Sequence, residues 1–544
     1  MATAALAVAP ALAPALGRED LADPLEGLPD SIPAVLAVRA ERSDDPFVVG
    51  PDGTLTFGEA CRRSAVLAGR LLAAGVGKGT RVGLLHPNGA GWAVGWLAAA
   101  RIGALTVPLS TFAPGGELAR ALRQTDVHAL LTASHFAGDS LGDRVEAGLP
   151  DLVGSKPGLA IADAPFLRWI HVEQEDRSWS RALPRPLPLA MVQAAQREVG
   201  PADPLAIIST SGATAAPKAT VHTHGSLVRH AALLAARRGL TSEDRIYSPM
   251  PFFWVGGLTM VLLAALTSGA AAVVHERFEP GEALDLIERE RVTQVSCWPN
   301  AARAMGEHPS FATRDLRCVR GGTLVEALPP RSRPASPDLA PIPLGMTETG
   351  GPHTGPDDAY APLPDSLRGT FGRTLPGMEH RIVDGEIHVR GRFLMDGIYK
   401  QERHRTFDPD GWYATGDLGW FGADGHLRFA GRRTAMIKTG GSNVSPAEVE
   451  TALVAMPQVR AAFVFGIAAG DRGEAVAAVV VPEPGRRVDP SDLSSSLRTS
   501  LSSYKVPRHY RVVAEPDLPM LPTGKADLVA LRALFADQRD SSGG

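Results

Sequence analysis

The segment Ser209–Thr220 has the sequence STSGATAAPKAT and decides most of what can be predicted about this chain. It follows an apolar, strand-like run at Leu205–Ser209 and precedes a helical pattern at His224–Arg238. Small and hydroxyl-bearing residues at a strand–loop–helix junction let backbone N–H groups approach an anion closely. Lys218 adds a compact positive charge suited to phosphate. The segment predicts a phosphate-binding loop, with a flexible surface loop as the alternative.

Strand-like runs and helical patterns alternate on both sides of this loop. The predicted helices are Phe57–Gly75, Trp92–Ile102 and His224–Arg238. The predicted strands are Arg81–Leu85, Ala104–Pro108, Leu205–Ser209, Ala271–His275, Gln294–Cys297 and Leu316–Val319. This alternation is typical of an α/β architecture with mostly parallel sheets.

The pattern changes twice toward the C-terminus. From Gly369 to Gly431, short runs of alternating polar and apolar residues are separated by glycines, which predicts a β subdomain of antiparallel hairpins. A small α+β domain follows. Its predicted helices are Pro446–Met456 and Asp492–Leu501, and its predicted strands are Val459–Phe465, Ala475–Val481 and Arg508–Val513. We therefore expect a disordered tail at 1–25, a large domain at 26–431 and a small C-terminal domain at 432–544.

Composition excludes several classes of protein. With 544 residues the chain is long enough for more than one domain, and its net charge of −4 gives no electrostatic sign of binding to nucleic acid or anionic lipid. The three cysteines, Cys61, Cys297 and Cys318, cannot build a disulfide framework, which favours a reducing, cytoplasmic location. Glycines interrupt the apolar stretch Val255–Val274, so we expect a buried helix and strand there and no transmembrane segment.

Four further segments contain residues that suit the same chemistry. Leu344–Thr349 (LGMTET) places a hydroxyl beside a carboxylate, and such hard oxygen ligands suit Mg²⁺. Tyr413–Gly419 (YATGDLG) holds a carboxylate between glycines, where it can accept both hydroxyls of a ribose. Ala430–Val444 (AGRRTAMIKTGGSNV) is rich in cations and glycines, and Leu521–Lys525 (LPTGK) carries a lysine on a turn. Each segment alone is also explained as an ordinary polar turn.

The order and spacing of the five segments resemble the adenylate-forming superfamily, the AMP-binding acyl- and aryl-CoA synthetases. The resemblance extends from about Thr54 to Leu528, and five ordered motifs are far more specific than one. It implies two half-reactions. A carboxylate attacks the α-phosphate of ATP to give acyl-AMP and pyrophosphate, and the thiol of CoA then displaces AMP. The resemblance also implies a small C-terminal domain that rotates between these steps.

The resemblance implies roles for particular residues. Thr347 would contact the α-phosphate and Glu348 would bind Mg²⁺. Lys525 would reach the attacking carboxylate and the α-phosphate during adenylation, where added positive charge stabilises the transition state. Asp417 would accept the ribose hydroxyls. The complete set of expected ATP-binding residues is Thr210, Ser211, Gly212, Thr214, Lys218, Gly322, Thr323, Asp417 and Arg432.

The chain departs from the superfamily pattern in its phosphate loop. Ala213 stands where Ser or Thr is usual, and Ala215 and Ala219 stand where Gly is usual. One hydroxyl is lost and the loop is stiffer. We therefore expect weaker phosphate binding, with Thr214 and Lys218 retained.

The C-terminal segment is expected to serve the second half-reaction. Lys438, Gly440 and Gly441 would turn toward the thiol of CoA. Thr434 stands at the expected hinge, where the superfamily usually has Asp or Lys. The hinge can still rotate, but it lacks those charge contacts.

The expected acid pocket is apolar. By the resemblance, its walls would be Phe252, Phe253, Trp254, Gly257, Trp298 and Met346. Aromatic rings and methionine favour an apolar or aryl carboxylate, and no Asp lies near Trp254 to pair with an amino group. Arg320 is expected to pair either with a polar group of the substrate or with a carboxylate such as Glu326.

Three histidines, His222, His224 and His230, could suggest a metal site. No nearby Cys or Glu completes a set of ligands. We therefore expect these side chains to form hydrogen bonds at the start of the helix.

We predict an ATP- and Mg²⁺-dependent acyl-CoA ligase for an apolar or aromatic carboxylate, with the acid, ATP and CoA as its small-molecule partners. One alternative is a stand-alone adenylating enzyme that loads the thiol of a separate carrier protein. Another is a catalytically weakened nucleotide-binding protein, which the altered phosphate loop suggests. The presence of Glu348, Asp417 and Lys525 argues against that last alternative.

Overall fold

A computed structural model describes residues 29–155, 159–209, 218–433, 437–439, 442–444, 446–469, 474–501, 505–521 and 525–535. The chain divides into two compact units. The first comprises Met1–Glu379 with Arg390–Gly411, and the second comprises His380–Val389 with Trp412–Gly544. The second unit thus includes strands of the predicted β subdomain. The expected tail at 1–25 lies outside the described residues, and the boundary at Gly431 stays a prediction.

A six-stranded sheet forms part of the first unit. Its strand order is Gly321–Gly322, Gln294–Val295, Arg245–Tyr247, Ala271–Val273, Pro46–Gly50 and Gly53–Thr56. Neighbouring strands run parallel except for the last pair, which is antiparallel. Parallel neighbours need long crossover connections, and the helices between these strands provide them.

A seven-stranded sheet carries the ends of the predicted phosphate loop. Its order is Gly397–Ile398, Ala219–Thr223, Pro204–Ser209, Leu105–Pro108, Arg81–Leu85, Ala129–Thr132 and Trp169–Val172. The strands from Pro204–Ser209 to Trp169–Val172 are parallel. The other two strands are added antiparallel at one edge. Short strand pairs at Gly345–Met346 with Gly351–Pro352, Thr354–Gly355 with Arg373–Thr374, and His135–Phe136 with Asp139–Ser140 complete the described β structure of this unit.

Helices connect the strands of the first unit. The α-helices are Ile32–Arg39, Phe57–Ala73, Ala90–Ala100, Gly115–Gln124, Leu141–Gly148, Leu189–Arg197, His224–Arg237, Val255–Gly257, Ala264–Ser268, Pro280–Arg289 and Pro299–Gly306. A π-helical stretch, Leu258–Leu263, joins two of them. Short 3₁₀ turns lie at Ala40–Arg42, Pro150–Leu152, Phe311–Thr313, Val325–Ala327, Pro330–Ser332, Pro337–Leu339, Thr347–Thr349, Asp365–Leu367 and Arg403–Arg405.

Local sequence explains how these helices begin and pack. Thr56 and Glu59 form a capping box at the start of Phe57–Ala73, in which each side chain accepts from the other residue's backbone N–H. The helix Ala90–Ala100 is apolar on every side and is buried except at Gly91. Its side chains join a buried cluster that also draws on strands of both sheets. This helix therefore lies in the shared core of the first unit.

The second unit contains antiparallel and mixed sheets. A four-stranded sheet has the order Met378–Val383, Glu386–Gly391, Tyr413–Phe421 and Leu427–Arg432. A three-stranded sheet has the order Val459–Ala468, Glu474–Pro482 and His509–Val512, and a two-stranded ribbon pairs Ile437–Thr439 with Ser442–Val444. The α-helices are Pro446–Val454, Pro490–Ser500 and Leu528–Ala533, and a 3₁₀ turn lies at Glu515–Asp517. Apolar residues of the helices and of the three-stranded sheet form the buried clusters of this unit.

The predicted fold class is confirmed, since parallel sheets with connecting helices precede a separate C-terminal unit. The strand Arg81–Leu85 matches its prediction at both ends, and most other predicted elements differ by a few residues. The stretch Val255–Val274 forms helical turns and then the strand Ala271–Val273, as expected. No helix among the described residues combines the length and the apolar character needed to cross a bilayer.

Two local predictions were wrong. Leu316–Val319 forms a turn, and the strand of that region is the short pair Gly321–Gly322, where glycines admit close approach of the neighbouring strand. The predicted phosphate loop does not lead directly into a helix. It joins two antiparallel strands, Pro204–Ser209 and Ala219–Thr223, and the helix begins only at His224. The β-branched residues Thr220 and Val221 suit the second of these strands.

Candidate active site

The phosphate-loop residues themselves lie partly outside the described structure. Thr210, Ser211, Gly212 and Thr214 fall there, as do the substituted positions Ala213 and Ala215. Ala219 lies buried in the second strand of the hairpin. Lys218, at the end of the loop, is half-exposed, and its Nζ lies 3.9 Å from Glu348 Oε1. The structure therefore brings the predicted phosphate-binding lysine beside the predicted magnesium ligand.

Glu348 is held in a tight turn. The 3₁₀ turn Thr347–Thr349 follows the strand Gly345–Met346, and Gly350 and Gly351 adopt positive φ values of 68° and 137°. Those angles turn the chain back at little steric cost, so that Gly351–Pro352 can pair with Gly345–Met346. The Glu348 side chain is 8% exposed, and its backbone carbonyl accepts from Met395 N–H at 2.7 Å.

His222 connects this turn to the phosphate-loop hairpin. Its Nε2 lies 2.8 Å from the carbonyl oxygen of Thr347. Burial lowers the pKa of His222 to about 4, so the ring is neutral near pH 7 and Nε2–H donates to that carbonyl. The sequence shows only a histidine at the end of a strand, and nothing in it indicates that the partner of His222 lies 125 residues away. His222 is thus a site residue that the sequence analysis missed.

Of the other two histidines, His224 forms a hydrogen bond at a helix start, as expected, whereas His230 differs from that prediction. His224 Nδ1 accepts from the backbone N–H of Ile32 at 3.2 Å, and the His230 ring stacks on Phe393 with centroids 4.5 Å apart. Burial lowers the pKa of His224 to about 4 and that of His230 to about 3. Both rings are therefore neutral near pH 7. No cluster of potential metal ligands with three or more members occurs in the described parts of the chain.

Gly321–Thr323, which we call the adenine loop because the resemblance implies that Gly322 and Thr323 line the adenine of ATP, has a backbone that requires glycine. Gly322 has φ of 112°, and a Cβ at this position would lie 1.9 Å from the carbonyl oxygen of Val295. The Thr323 hydroxyl lies 3.2 Å from the same carbonyl and accepts from the Cys297 N–H at 3.0 Å. Burial raises the pKa of the adjacent Cys297 thiol to about 11, which leaves it protonated. Thr323 therefore secures the loop through its side chain.

Arg320 anchors the start of this loop and does not pair with Glu326. Its Nε and Nη2 donate to Asp244 Oδ1 at 3.1 and 2.8 Å, and Nη2 also lies 2.8 Å from Oδ2. The Asp244 side chain is 3% exposed. The ring of Tyr360 lies over Gly321, where a Cβ would meet it at 2.4 Å. An ion pair and an aromatic ring thus support Gly321 and Gly322 from one side.

Asp417 and Arg432 face each other on neighbouring antiparallel strands of the second unit. Arg432 Nε lies 2.8 Å from Asp417 Oδ1, and the side chains are 57% and 7% exposed. Gly416, with φ of 77°, precedes Asp417, whose N–H donates to the hydroxyl of Thr415 at 3.0 Å. The structure thus pairs the residue expected to accept the ribose hydroxyls, Asp417, with another expected ATP-binding residue, Arg432.

The aromatic residues of the expected acid pocket separate into two groups. Phe253 and Trp254 have ring centroids 5.2 Å apart, and Trp254 lies 5.6 Å from Trp298. The Phe252 ring is fully buried and packs edge-on against Trp92 at 5.3 Å. Phe252 therefore belongs to the core, and we leave it out of the proposed pocket wall.

Phe112 is a further member of this aromatic group that the sequence analysis missed. Its ring lies 5.7 Å from Phe253 and 6.2 Å from Trp254. It follows the strand Leu105–Pro108 at the carboxyl end, where ligand sites of parallel sheets commonly lie. Its position after the carboxyl end of a predicted strand was the signal by which the sequence could have identified Phe112.

The remaining predicted pocket residues are Gly257 and Met346. Gly257 is buried, and a Cβ there would lie 2.1 Å from the carbonyl oxygen of Pro251. Glycine is therefore required for packing against the backbone that precedes Phe252. Met346 is 8% exposed and immediately precedes Thr347.

The predicted residues of the C-terminal segment are only partly described. Lys525 is exposed, and its carbonyl accepts from Leu521 N–H at 2.7 Å. The backbone of Lys438 lies in the strand Ile437–Thr439. Thr434, Gly440 and Gly441 lie outside the described residues. The hinge, the CoA-facing role and the catalytic role of Lys525 stay predictions.

Comparisons with known proteins agree with this arrangement of motifs. The model of the AMP-binding enzyme family matches residues 36–399, and that of the AMP-binding enzyme C-terminal domain matches residues 448–525. The chain is 31% identical over 500 residues to the indoleacetate–CoA ligase of Aromatoleum aromaticum, covering 89% of this chain and 94% of that protein. It is 33% identical over 497 residues to a feruloyl-CoA synthase of an Amycolatopsis species, covering 86% and 92%.

A solved structure also matches nearly the whole chain. The amide bond synthetase McbA from Marinactinospora thermotolerans superimposes with a TM-score of 0.74 at 28% identity, covering 93% of this chain and 100% of that one. The chain therefore belongs to the AMP-binding enzymes, the adenylate-forming superfamily of acyl-CoA synthetases.

Proposed function

We propose that this chain is an ATP-dependent acyl-CoA ligase that activates an apolar or aromatic carboxylate as acyl-AMP and transfers it to CoA. The observation that carries the proposal is the cluster of Lys218, Thr347 and Glu348, with Lys218 Nζ 3.9 Å from Glu348 Oε1. Lys218 supplies a cation, Thr347 a hydroxyl and Glu348 a buried carboxylate. These groups suit the triphosphate of ATP and a divalent cation.

In the proposed first half-reaction, a carboxylate oxygen of the acid forms a bond to the α-phosphorus of ATP. The bond between that phosphorus and the bridging oxygen breaks, and pyrophosphate leaves. Both reactants are anions, so positive charge must offset their repulsion. Lys218 would bind the departing phosphates, and Lys525 would contact the acid and the α-phosphate.

Glu348 is the residue that would hold Mg²⁺. A single buried carboxylate suits this ion, which is commonly bound by one or two carboxylates together with substrate phosphates. Mg²⁺ bound there would neutralise charge on the phosphate oxygens. His222 would keep the turn in place through its bond to the Thr347 carbonyl.

In the proposed second half-reaction, the thiolate of CoA attacks the acyl carbon, and AMP leaves with the electron pair of the broken acyl–oxygen bond. Lys438, Gly440 and Gly441 would face the thiol at this step. Asp417 would keep the AMP ribose in place until release.

The aromatic group of Phe112, Phe253, Trp254 and Trp298 supports an apolar or aromatic acid as substrate. Such rings favour flat, apolar ligands through edge-to-face and stacked contacts. The names of the relatives that act on indoleacetate and ferulate agree with this class. A cytoplasmic location is also proposed, since the three cysteines are unpaired.

The experiment that tests the proposal is a carboxylate panel scored by pyrophosphate release with and without CoA. Aryl acetates, cinnamates and aliphatic acids of increasing length would be compared. We expect release that depends on an apolar or aromatic acid and a thioester product with CoA. A thioester only with an added carrier protein would favour the adenylating-enzyme alternative, and ATP binding without pyrophosphate release would favour the weakened protein.

Glu348→Gln tests the magnesium assignment within the same assay. Loss of the negative charge should shift the Mg²⁺ dependence of pyrophosphate release to concentrations about tenfold higher or more. Glu326→Gln is a matched control, because Glu326 is not part of the cluster. An unchanged Mg²⁺ dependence in Glu348→Gln would refute the assignment.

A further inference from the structure

Asn88 forms two hydrogen bonds to the backbone of the segment that carries the aromatic residues. Its Nδ2 donates to the carbonyl oxygen of Met250 at 3.0 Å, and its Oδ1 accepts from the N–H of Phe252 at 2.8 Å. Asn88 is 9% exposed, Met250 is 8% exposed and Phe252 is fully buried. The side-chain amide of Asn88 therefore has one orientation, because only one of its two flipped positions satisfies both the carbonyl and the N–H.

These two bonds have the pattern of a neighbouring β-strand. In a parallel ladder, a residue likewise bonds through its N–H and its C=O to the two residues that flank the one opposite. The backbone between Met250 and Phe252 includes Pro251, which has no N–H, so few other backbone bonds can hold it. The side chain of Asn88 therefore supplies pairing that the sheets do not provide here.

The loop that contains Asn88 also controls where the Phe252 ring lies. Asn88 immediately precedes Gly89 and the helix Ala90–Ala100, which carries Trp92. Asn88 binds the backbone of Phe252, and the Trp92 ring packs edge-on against the Phe252 ring at 5.3 Å. Both contacts come from one turn of chain, so they fix the backbone and side chain of Phe252 together.

Phe252 packs against Trp92 in the core, whereas the next two rings belong to a separate aromatic group. Phe253 and Trp254 pack against Phe112 at 5.7 and 6.2 Å. Gly257 supports the same arrangement from the other side, since only glycine fits against the Pro251 carbonyl. If this backbone rotated, a ring of the aromatic group would take the place of the Phe252 ring in the core.

We propose that Asn88 is a positioning residue for acid selection: its two bonds to the Met250–Phe252 backbone determine which aromatic rings face the acid. The proposal rests on the proposed function for its assumption that Phe253 and Trp254 line the acid site. Asn88 would touch neither ATP nor the reacting atoms.

The test compares Asn88→Ala, Asn88→Asp, Trp254→Ala and a matched control, Thr106→Val, in the carboxylate panel. Thr106 is also buried and also bonds a distant backbone carbonyl, that of Leu205, at 2.9 Å. Thr106→Val therefore measures the effect of a lost buried hydrogen bond away from the aromatic segment.

We expect Asn88→Ala to lower kcat/KM for the preferred acid relative to a short aliphatic acid by about tenfold or more, a change typical of altered pocket contacts. The KM for ATP should stay within about twofold of wild type, as expected when only acid binding changes. Thr106→Val should lose stability without a change in acid preference.

Asn88→Asp tests whether acid preference depends on pH, which we would not expect from a purely structural role of Asn88. A protonated carboxyl can still donate to the Met250 carbonyl and accept from Phe252 N–H, whereas a carboxylate opposes that carbonyl. Its acid preference should therefore approach wild type as the pH falls from about 8 to about 6, because lower pH favours the protonated form. Asn88→Ala should show no such recovery.

The outcomes separate this inference from the proposed pocket. If Trp254→Ala changes acid preference while the Asn88 variants match Thr106→Val, the positioning role of Asn88 is overturned and the pocket stands. If Trp254→Ala has no effect and the Asn88 variants also match Thr106→Val, both are overturned. A change of preference in both Trp254→Ala and the Asn88 variants supports the positioning role. A change in the Asn88 variants alone refutes Trp254 as a wall and overturns the positioning role as proposed.

Discussion

Replacement of Arg320 by alanine should weaken both the fold of the first unit and its affinity for ATP. Arg320 directly precedes Gly321 and Gly322, and its guanidinium makes a forked contact with the buried carboxylate of Asp244. Without that cation, Asp244 would keep only donors such as the Thr293 hydroxyl at 2.6 Å and the Thr241 N–H at 2.9 Å. A buried charge would then lack its partner.

The size of the effect follows from the burial of the two groups. Removal of one partner from a fully buried ion pair costs about 3–5 kcal/mol. The Arg320 side chain is 44% exposed, so solvent already screens part of the attraction, and the remaining donors partly satisfy Asp244. We therefore expect the free energy of unfolding to fall by about 2 kcal/mol. The KM for ATP should rise by about tenfold, which corresponds to about 1.4 kcal/mol.

Arg317→Ala is the matched control for this prediction. Arg317 makes a similar fork with Asp315, at 2.8 and 2.9 Å, but its side chain is 89% exposed. Exposed ion pairs contribute little to stability because water and salt screen them. Urea denaturation and ATP-dependent pyrophosphate release would be measured for both variants. Equal effects of Arg320→Ala and Arg317→Ala would refute the reasoning, and lost stability with an unchanged KM for ATP would refute the link to the adenine loop.

Three further predictions concern other residues. Lys525→Ala should slow pyrophosphate formation about 100-fold while sparing thioester formation from preformed acyl-AMP, and equal loss of both rates would contradict its assigned role. Asp417→Asn should reduce the preference for ATP over 2′-deoxy-ATP, because a neutral amide accepts ribose hydroxyls less well, and an unchanged preference would place the ribose elsewhere. Burial lowers the pKa of His222 from 6.5 to about 4, so the unfolded chain binds a proton first and stability is lost as the pH falls from about 7 to about 4. His222→Asn should make that loss shallower by up to about 1.4 kcal/mol per pH unit in urea denaturation series, whereas an identical slope would mean that His222 titrates normally in the folded protein.

Contacts within short segments were predictable from sequence. The motif around Lys218 and the motif around Glu348 were each recognisable, since their chemistry is local to a few residues. The strand Arg81–Leu85 was found at both ends because a short apolar run between polar residues has few other interpretations. Asp417 and Arg432 were both assigned to ATP binding by the resemblance to the adenylate-forming superfamily.

Contacts that depend on tertiary pairing were not predictable in this way. Arg320 had several acidic residues within reach in sequence, and its partner Asp244 lies 76 residues away. The bond between His222 and Thr347 depends on how a hairpin packs beside a turn. Consecutive aromatic residues such as Phe252 and Phe253 carry no periodic signal that tells which ring faces the core.

The chain passes between the two compact units three times, after Glu379, after Val389 and after Gly411. Neither unit is therefore a continuous stretch, and no single cleavage of the polypeptide releases either one intact. A fragment that begins at Arg432 would contain that arginine without Asp417, its partner on the neighbouring strand. A chimera joined near Gly411 takes Asp417 and Arg432 from the same parent, but it takes His380–Val389 of the second unit from the other parent.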